Sequence, residues 1–190
     1  MKKSVIIVVV IVAAFALLFF MYGRGLKSEI LLEDLVGSAK EVVNENLGIS
    51  FRVPADWVES IQKADNETVL FTAQSPDFNA TLLGKPGDIP PRFLYSNGAI
   101  MNGSSRREGK SGWKNPTGAI GETTLSIEGV DVAFYRMRPD NTLENANLYQ
   151  AHFSRNEKEY TFNFGHSGNY QNGEKVFRAI IQSIRFTPTP

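Results

Sequence analysis

Hydrophobic and polar residues alternate along most of the chain, and the two clearest runs dictate hairpins. In "TTLSIEGVDVAFY", a two-residue turn at Glu128-Gly129 predicts that Ile127 faces Val130, Leu125 faces Val132 and Thr123 faces Phe134 on the inner side of a sheet. In "NLYQAHFSRNEKEYTFNFGH", a turn at Asn156-Glu157 sets Phe153 opposite Tyr160, Ala151 opposite Phe162 and Tyr149 opposite Phe164. That register leaves Gln150, Ser154, Glu159 and Asn163 on the other face. A slip of one residue would bury the polar set, so the pairing is strongly specified.

Earlier segments are shorter. Val42-Val43, a turn at Asn44-Glu45-Asn46, and then Ile49, Phe51 and Val53 stopped by Pro54 predict a first strand pair. Thr68 to Ala73 and Ala80 to Gly84 predict a second, joined at Pro76-Asp77. Near the end, Phe177, Ile180, Ile181 and Ile184 recur at helical spacing, predicting a helix with one buried face, and Ile184 to Phe186 suits a terminal strand. "TPTP" is a tail. The expected fold class is α+β, an antiparallel sheet of about six strands flanked by helices.

The N-terminus obeys another rule. Val5 to Tyr22 is 18 consecutive apolar or weakly polar residues, about 27 Å as a helix, which matches a bilayer's hydrocarbon thickness. The run exceeds a signal peptide's apolar region, and the small-x-small site after it, Gly23-Arg24-Gly25, has a charge at its centre. We therefore expect an uncleaved anchor in residues 1–25. A short juxtamembrane helix or stalk follows in 26–41, where Leu31, Leu32, Leu35 and Val36 sit opposite Glu29, Glu33 and Asp34. Residues 42–187 form the folded domain and 188–190 the tail. Lys2 and Lys3 nearly balance Arg24 and Lys27, and the very short N-terminal tail tips the expected orientation to N-terminus inside. The chain is then a single-pass protein of the cytoplasmic membrane, held through residues 5–22, with its C-terminal domain extracytoplasmic.

Charge narrows the partners. Without Lys2, Lys3 and Arg24, the chain carries 17 basic against 20 acidic residues, too few positive charges for general nucleic-acid binding. One local exception is Arg106, Arg107 and Lys110 with Trp113, a basic-aromatic group suited to an acidic partner or anionic headgroups, and these four are the candidate partner-binding residues. They lie in a stretch, residues 85–121, with seven Gly and four Pro, long enough to be either a functional excursion or to hold a short helix near Arg92 to Met101.

Within that stretch, "GSSRREGKSG" resembles a phosphate-binding loop and fails its geometry. Five residues separate Gly103 from Gly109 where the motif requires four, and the residues after Ser111 do not open an apolar-periodic helix. Other chemistry is equally sparse. The chain has two His and no Cys, and without a His-x-x-His spacing no zinc ligand set forms, so neither a metal nor a cofactor is expected. His152 falls on the polar face opposite Thr161, and His166 on the other; both are expected at the surface or at a sheet end. The best nucleus for an enzyme site is His152 with Gln150 and Asn163. Trp57 is expected in the core.

Two stretches bring a family into view. "LGISFRVPADW", Leu47 to Trp57, and "FRAIIQSIRF", Phe177 to Phe186, resemble the opening and closing signatures of the PsbP-like family, over about residues 42–186. That family includes the extrinsic lumenal protein of photosystem II, a Ran-binding nuclear import factor and many bacterial proteins. The resemblance implies an antiparallel sheet flanked by helices and a non-enzymatic binding or assembly role. It does not imply photosynthesis, since an anchor stands where a lumenal targeting segment would be. Phe51, Pro54 and Trp57 enter it as structural residues, and it assigns no functional ones. The functional expectation is a non-catalytic, membrane-anchored binding or assembly module for envelope proteins. Its alternatives are a carrier holding an apolar ligand between sheet and helix, and an enzyme with an unrecognised site.

Overall fold

The computed structural model describes residues 31–63, 69–83, 92–107, 116–139 and 143–187. The expected anchor, Lys110 and Trp113 lie outside them. Among the described residues no helix is long and apolar enough to cross a membrane.

Among the described residues, thirteen strands form three sheets. The central sheet has seven strands rather than about six, in the order β3 (Val58–Lys63), β4 (Val69–Gln74), β7 (Ala99–Arg107), β12 (Lys158–Ser167), β11 (Ala146–Arg155), β9 (Val130–Met137) and β8 (Ala119–Ile127). A second sheet joins β1 (Ala39–Asn44), β2 (Ile49–Pro54) and β13 (Arg185–Phe186), and a third joins β5 (Asn79–Leu83), β6 (Arg92–Asn97) and β10 (Leu143–Glu144). All pairings are antiparallel except β10 with β6. Two helices complete the described elements, α1 (Leu32–Val36) and α2 (Gly173–Gln182).

Both predicted hairpins are present in the predicted register, Ile127 with Val130, Phe153 with Tyr160 and Tyr149 with Phe164 among the pairs. Their turns carry positive φ at Glu128 (47°) and Gly129 (80°), and at Asn156 (50°) and Glu157 (60°), the mirror-image turn that matches strand twist. The expected late helix is α2, with Phe177, Ile180 and Ile181 buried.

Other expectations change. Residues 92–101 are two strands, not a helix, so the Gly/Pro-rich region supplies β6 and β7 and part of the central sheet. The strands expected to pair across Pro76-Asp77, described over Val69–Gln74 and Asn79–Leu83, do not pair. After β4 the backbone closes a turn, Phe78 N–H donating to Ser75 O (3.0 Å), and leaves for the third sheet. Helix α1 is five residues long and ends at Gly37, and its Leu32 is buried in the domain core rather than lying on a stalk.

The core follows from period-two alternation on β12. Tyr160, Phe162, Phe164 and His166 all point to one face, opposite Ser105, Gly103, Met101 and Ala99 of β7. The second sheet and α2 cover that face. Phe51 meets Phe71 edge-on at 5.0 Å and Phe162 at 6.0 Å, while Phe177 stacks on Phe164 at 5.0 Å. Trp57 stacks on the other side of this group, 6.2 Å from Phe164, and is 2% exposed. Offset and edge-on pairs of this kind add about 0.5–1.5 kcal/mol each beyond the area they bury.

Gly103, the first residue of the loop-like motif, has a packing role here. A Cβ on it would stand 2.6 Å from Cε1 and 2.9 Å from Cδ1 of Phe162, whose ring is pinned between Phe153 and Phe51. Gly103→Ala is therefore expected to destabilise the domain by roughly 1–3 kcal/mol through overpacking, beyond any backbone gain. Urea unfolding should show a lower midpoint with unchanged m. An unchanged or raised midpoint would mean the ring has room to give.

Candidate functional site

The opposite face of the central sheet is polar by the same alternation, and its side chains form rows across the strands. One row runs Thr72, Asn102, Asn163, Gln150, Tyr135, Glu122. Its members bond along the row: Thr72 Oγ1 donates to Asn102 Oδ1 (3.0 Å), Gln150 Nε2 to Asn163 Oδ1 (2.6 Å), and Tyr135 Oη to Glu122 Oε1 (3.3 Å). Each amide keeps further donors or acceptors free for a ligand, since one bond uses one of several sites. The neighbouring row is apolar at Ile100, Leu148 and Met137.

The third sheet roofs this face at one end. Tyr95 on β6 lies over Gly165, where a Cβ would come within 3.0 Å of its Cε2 and 3.2 Å of Leu148 Cδ2, so a glycine in β12 lets the roof descend. Asn145 Nδ2 donates to Tyr95 O (2.9 Å), and Phe78 meets the Tyr95 ring edge-on at 5.3 Å. Between roof and sheet lies a cavity of about 620 Å³. Ile100, Leu148 and Met137 make its apolar side, Asn102, Gln150 and Asn163 its hydrogen-bonding side, and Arg138 and Pro139 part of its rim. A pocket of this size and mixed lining suits a short peptide segment or a small molecule.

Of the residues singled out in the sequence, Gln150 and Asn163 are in this groove. His152 is two positions along β11, with Nδ1 3.2 Å from Thr161 Oγ1. Neither histidine is at the surface. His152 is 9% exposed and His166 6%, the latter on the core face with Nδ1 2.8 Å from Ser167 O and its ring stacked on Tyr149. Burial pushes both below the ordinary histidine pKa. For His152 the value falls to about 4, with Glu159 opposing and Arg106 reinforcing the fall. A neutral His152 at pH 7 can accept or donate a hydrogen bond, while a general base of pKa near 7 it is not.

Arg106 and Arg107 end β7, opposite Glu159 and Lys158. Arg106 Nε donates to Glu159 Oε2 at 2.7 Å, and Glu159's side chain is 7% exposed. What sequence reasoning missed was the roof. Tyr95 joins the groove through the β5–β6 excursion, for which the signal available was the Ser75–Phe78 turn, and Met137 and Arg138 join it at the end of β9.

No family model matches the sequence, and no curated protein does. Among solved structures, the fold is similar to PsbP (CyanoP) of the cyanobacterium Synechocystis sp. PCC 6803, with TM-score 0.50 and 10% identity over 78% of this chain and 92% of that one. It is also similar to a Bacteroides thetaiotaomicron VPI-5482 protein, with TM-score 0.43 and 13% identity over 78% of this chain and 48% of that one. The fold is PsbP-like.

Two outcomes test the electrostatics. Arg106→Ala leaves a buried carboxylate without its cation and should cost about 1–3 kcal/mol in chemical unfolding, more than an exposed ion pair would. Equal stability to wild type would show Glu159 finding water. Because His152 is neutral in the folded protein and protonates near 6.5 when unfolded, the unfolded chain binds the extra proton as pH falls. Its contribution is whole above pH 6.5, declines on acidification and levels off near pH 4, a loss of roughly 2–3 kcal/mol. Urea midpoints across this range should fall less for His152→Gln than for wild type, with His166 keeping part of the slope. Parallel curves would remove His152 as a source.

Proposed function

We propose that this protein is a non-catalytic binding module of the cell envelope, held at the cytoplasmic membrane by Val5–Tyr22, which receives an extended segment of a partner protein in the groove between the central sheet and the β5–β6 roof. The observation that carries this reading is the lining. Uncharged amides of Asn102, Gln150 and Asn163 stand beside the apolar side chains of Ile100, Leu148 and Met137. Peptide groups of an extended segment can bond to such amides while its side chains fill the apolar side. Arg138 at the rim favours a segment with an acidic residue or a free carboxylate at one end. The PsbP-like fold supports a binding role by analogy.

A carrier would use the same cavity, since the space between sheet and α2 is filled by Phe134, Phe164 and Phe177. The basic-aromatic group of Arg106, Arg107, Lys110 and Trp113 is a second surface for the same role. Replacing Arg106 would not test that surface cleanly, because its salt bridge holds Glu159.

Photo-crosslinking residues placed singly at Met137, Tyr95 and Arg107 of the full chain, in intact cells, separate these readings. We expect one or a few envelope proteins captured from Met137 and Tyr95, and their loss when Asn163→Trp fills the groove in an otherwise folded protein. Capture from Arg107 alone would move the surface to the basic group. Capture of no protein, with a small molecule co-purifying in wild type and lost from Asn163→Trp, would establish the carrier.

A further inference from the structure

We propose that two copies of this chain pair through β8, joining their central sheets into one. The sheet's two edges are unlike. At the β3 edge, Lys40 Nζ donates to Trp57 O (2.6 Å) and pairs with Glu59 (2.9 Å), and the strand's six residues include Glu59 and Lys63. At the β8 edge the contact of this kind is with a side chain, Arg178 Nη2 donating to Thr123 Oγ1 (3.1 Å), and no backbone group of the strand is engaged by it. The nine residues of β8, AIGETTLSI, contain one charge, Glu122, and no Lys or Pro, the residues that usually blunt an edge. Ala119 to Thr124 and Ser126 are exposed, and Ile120 is 50% exposed.

The hairpin fixes which backbone groups are unpaired. Residues flanking a two-residue turn exchange both backbone bonds, so Ile127, Leu125, Thr123 and Gly121 direct theirs to β9. Ser126, Thr124 and Glu122 direct theirs outward, where among the described residues β8 has no strand neighbour. An antiparallel strand of the right length and charge would satisfy them.

A second copy of β8 meets that requirement. The pairing with β9 is irregular between Ala119 and Gly121 and regular from there to Ile127, a run centred on Thr124. Two runs overlap fully when Thr124 faces Thr124 of the partner copy across a two-fold axis. Each Glu122 then faces a Ser126, so the single charge never meets its own image. Such an axis stands perpendicular to the sheet, which turns both polar faces to the same side. Thr117, Gly118 and Met137 of the groove adjoin the start of β8, so the two grooves open on the same side of the joined sheet, at opposite ends of the seam. A dimer therefore presents two sites to one bivalent partner or two segments of it. This inference stands on the edge alone, whatever occupies the groove.

The absence of cysteine makes the test clean. The full chain in detergent micelles, weighed by light scattering, is expected to have twice the single-chain protein mass. Thr124→Cys should form an intermolecular disulfide under mild oxidation, because residues facing in a bonded antiparallel pair have Cα atoms about 5.5 Å apart, within disulfide reach. Val58→Cys, on the opposite edge and 61% exposed, should not. Thr124→Lys, which sets two cations face to face, should give single-chain mass with an unchanged circular dichroism spectrum. A wild-type monomer, equal crosslinking at Val58 and Thr124, or a dimer that survives Thr124→Lys would each overturn the proposal.

Discussion

The structure depends on one strand being two-faced. β12 sits in the middle of the seven-stranded sheet, and Tyr160, Phe162, Phe164 and His166 all leave it on the same side. Their rings bring the separate layers together. Phe162 takes Phe51 from the second sheet, Phe164 takes Phe177 from α2 and Trp57 from the loop before β3, and Tyr160 donates from Oη to Leu47 O at 3.0 Å. A strand slipped by one residue would turn Glu159, Thr161 and Asn163 into that layer, so register, helix docking and sheet docking are a single constraint. Gly103 marks how tight it is, since the neighbouring strand must give up its side chain where Phe162 lies.

The same constraint makes the groove. Side chains of β12 that do not enter the aromatic layer must face the other way, and there they meet the amides and hydroxyls of β4, β7 and β11 in transverse rows. Such a face would be plain wet surface if the chain continued as a simple meander. Instead it departs after β4, builds β5 and β6, and returns as β7, leaving Tyr95 over Gly165. At the far end of the same face, away from the roof, Glu159 and His152 are also buried. Glu159 pairs with Arg106 there, and burial holds the His152 pKa below its ordinary value.

Local pattern made much of this legible. The two long hairpins could be read to the residue because turn chemistry and alternation agree there, Glu128-Gly129 and Asn156-Glu157 each closing a pair of strands whose apolar sets face one another. Helix α2 was equally plain from Phe177, Ile180 and Ile181. Reading failed where local signals were silent about partners. The turn at Pro76-Asp77 resembles a hairpin turn, and nothing in Thr81 or Leu83 says that their strand belongs to another sheet. Residues 92–107 carry Gly98 and Gly103, which depress strand propensity and suggest a loop; each glycine is there because another group comes close, Phe78 backbone atoms at one and the Phe162 ring at the other. His152 and His166 were placed on the correct faces and at the wrong depth, because burial is decided by what packs on a face and alternation reports only which face it is. Two of the groove's three amides, Gln150 and Asn163, were therefore visible in the sequence, and its roof was not.

A division of labour between faces explains how such a fold can persist while its sequence changes. The aromatic layer needs ring volume, one glycine opposite Phe162 and period-two alternation, and many sequences meet those terms, which is consistent with a PsbP-like fold at 10% identity. The groove face answers to different terms. Its amides each make one bond along the row, Asn102 to Thr72 and Gln150 to Asn163, and lie outside the core, so a change at Asn102, Gln150 or Asn163 alters what the groove can hold at small cost to folding. The exception is the pair at the far end of the same face, Arg106 and Glu159, where a charge is buried and the cost of change is high. Freedom to vary is thus concentrated at the roofed end of the sheet, where a ligand would sit, and withheld at the end where a basic cluster in the sequence first suggested one.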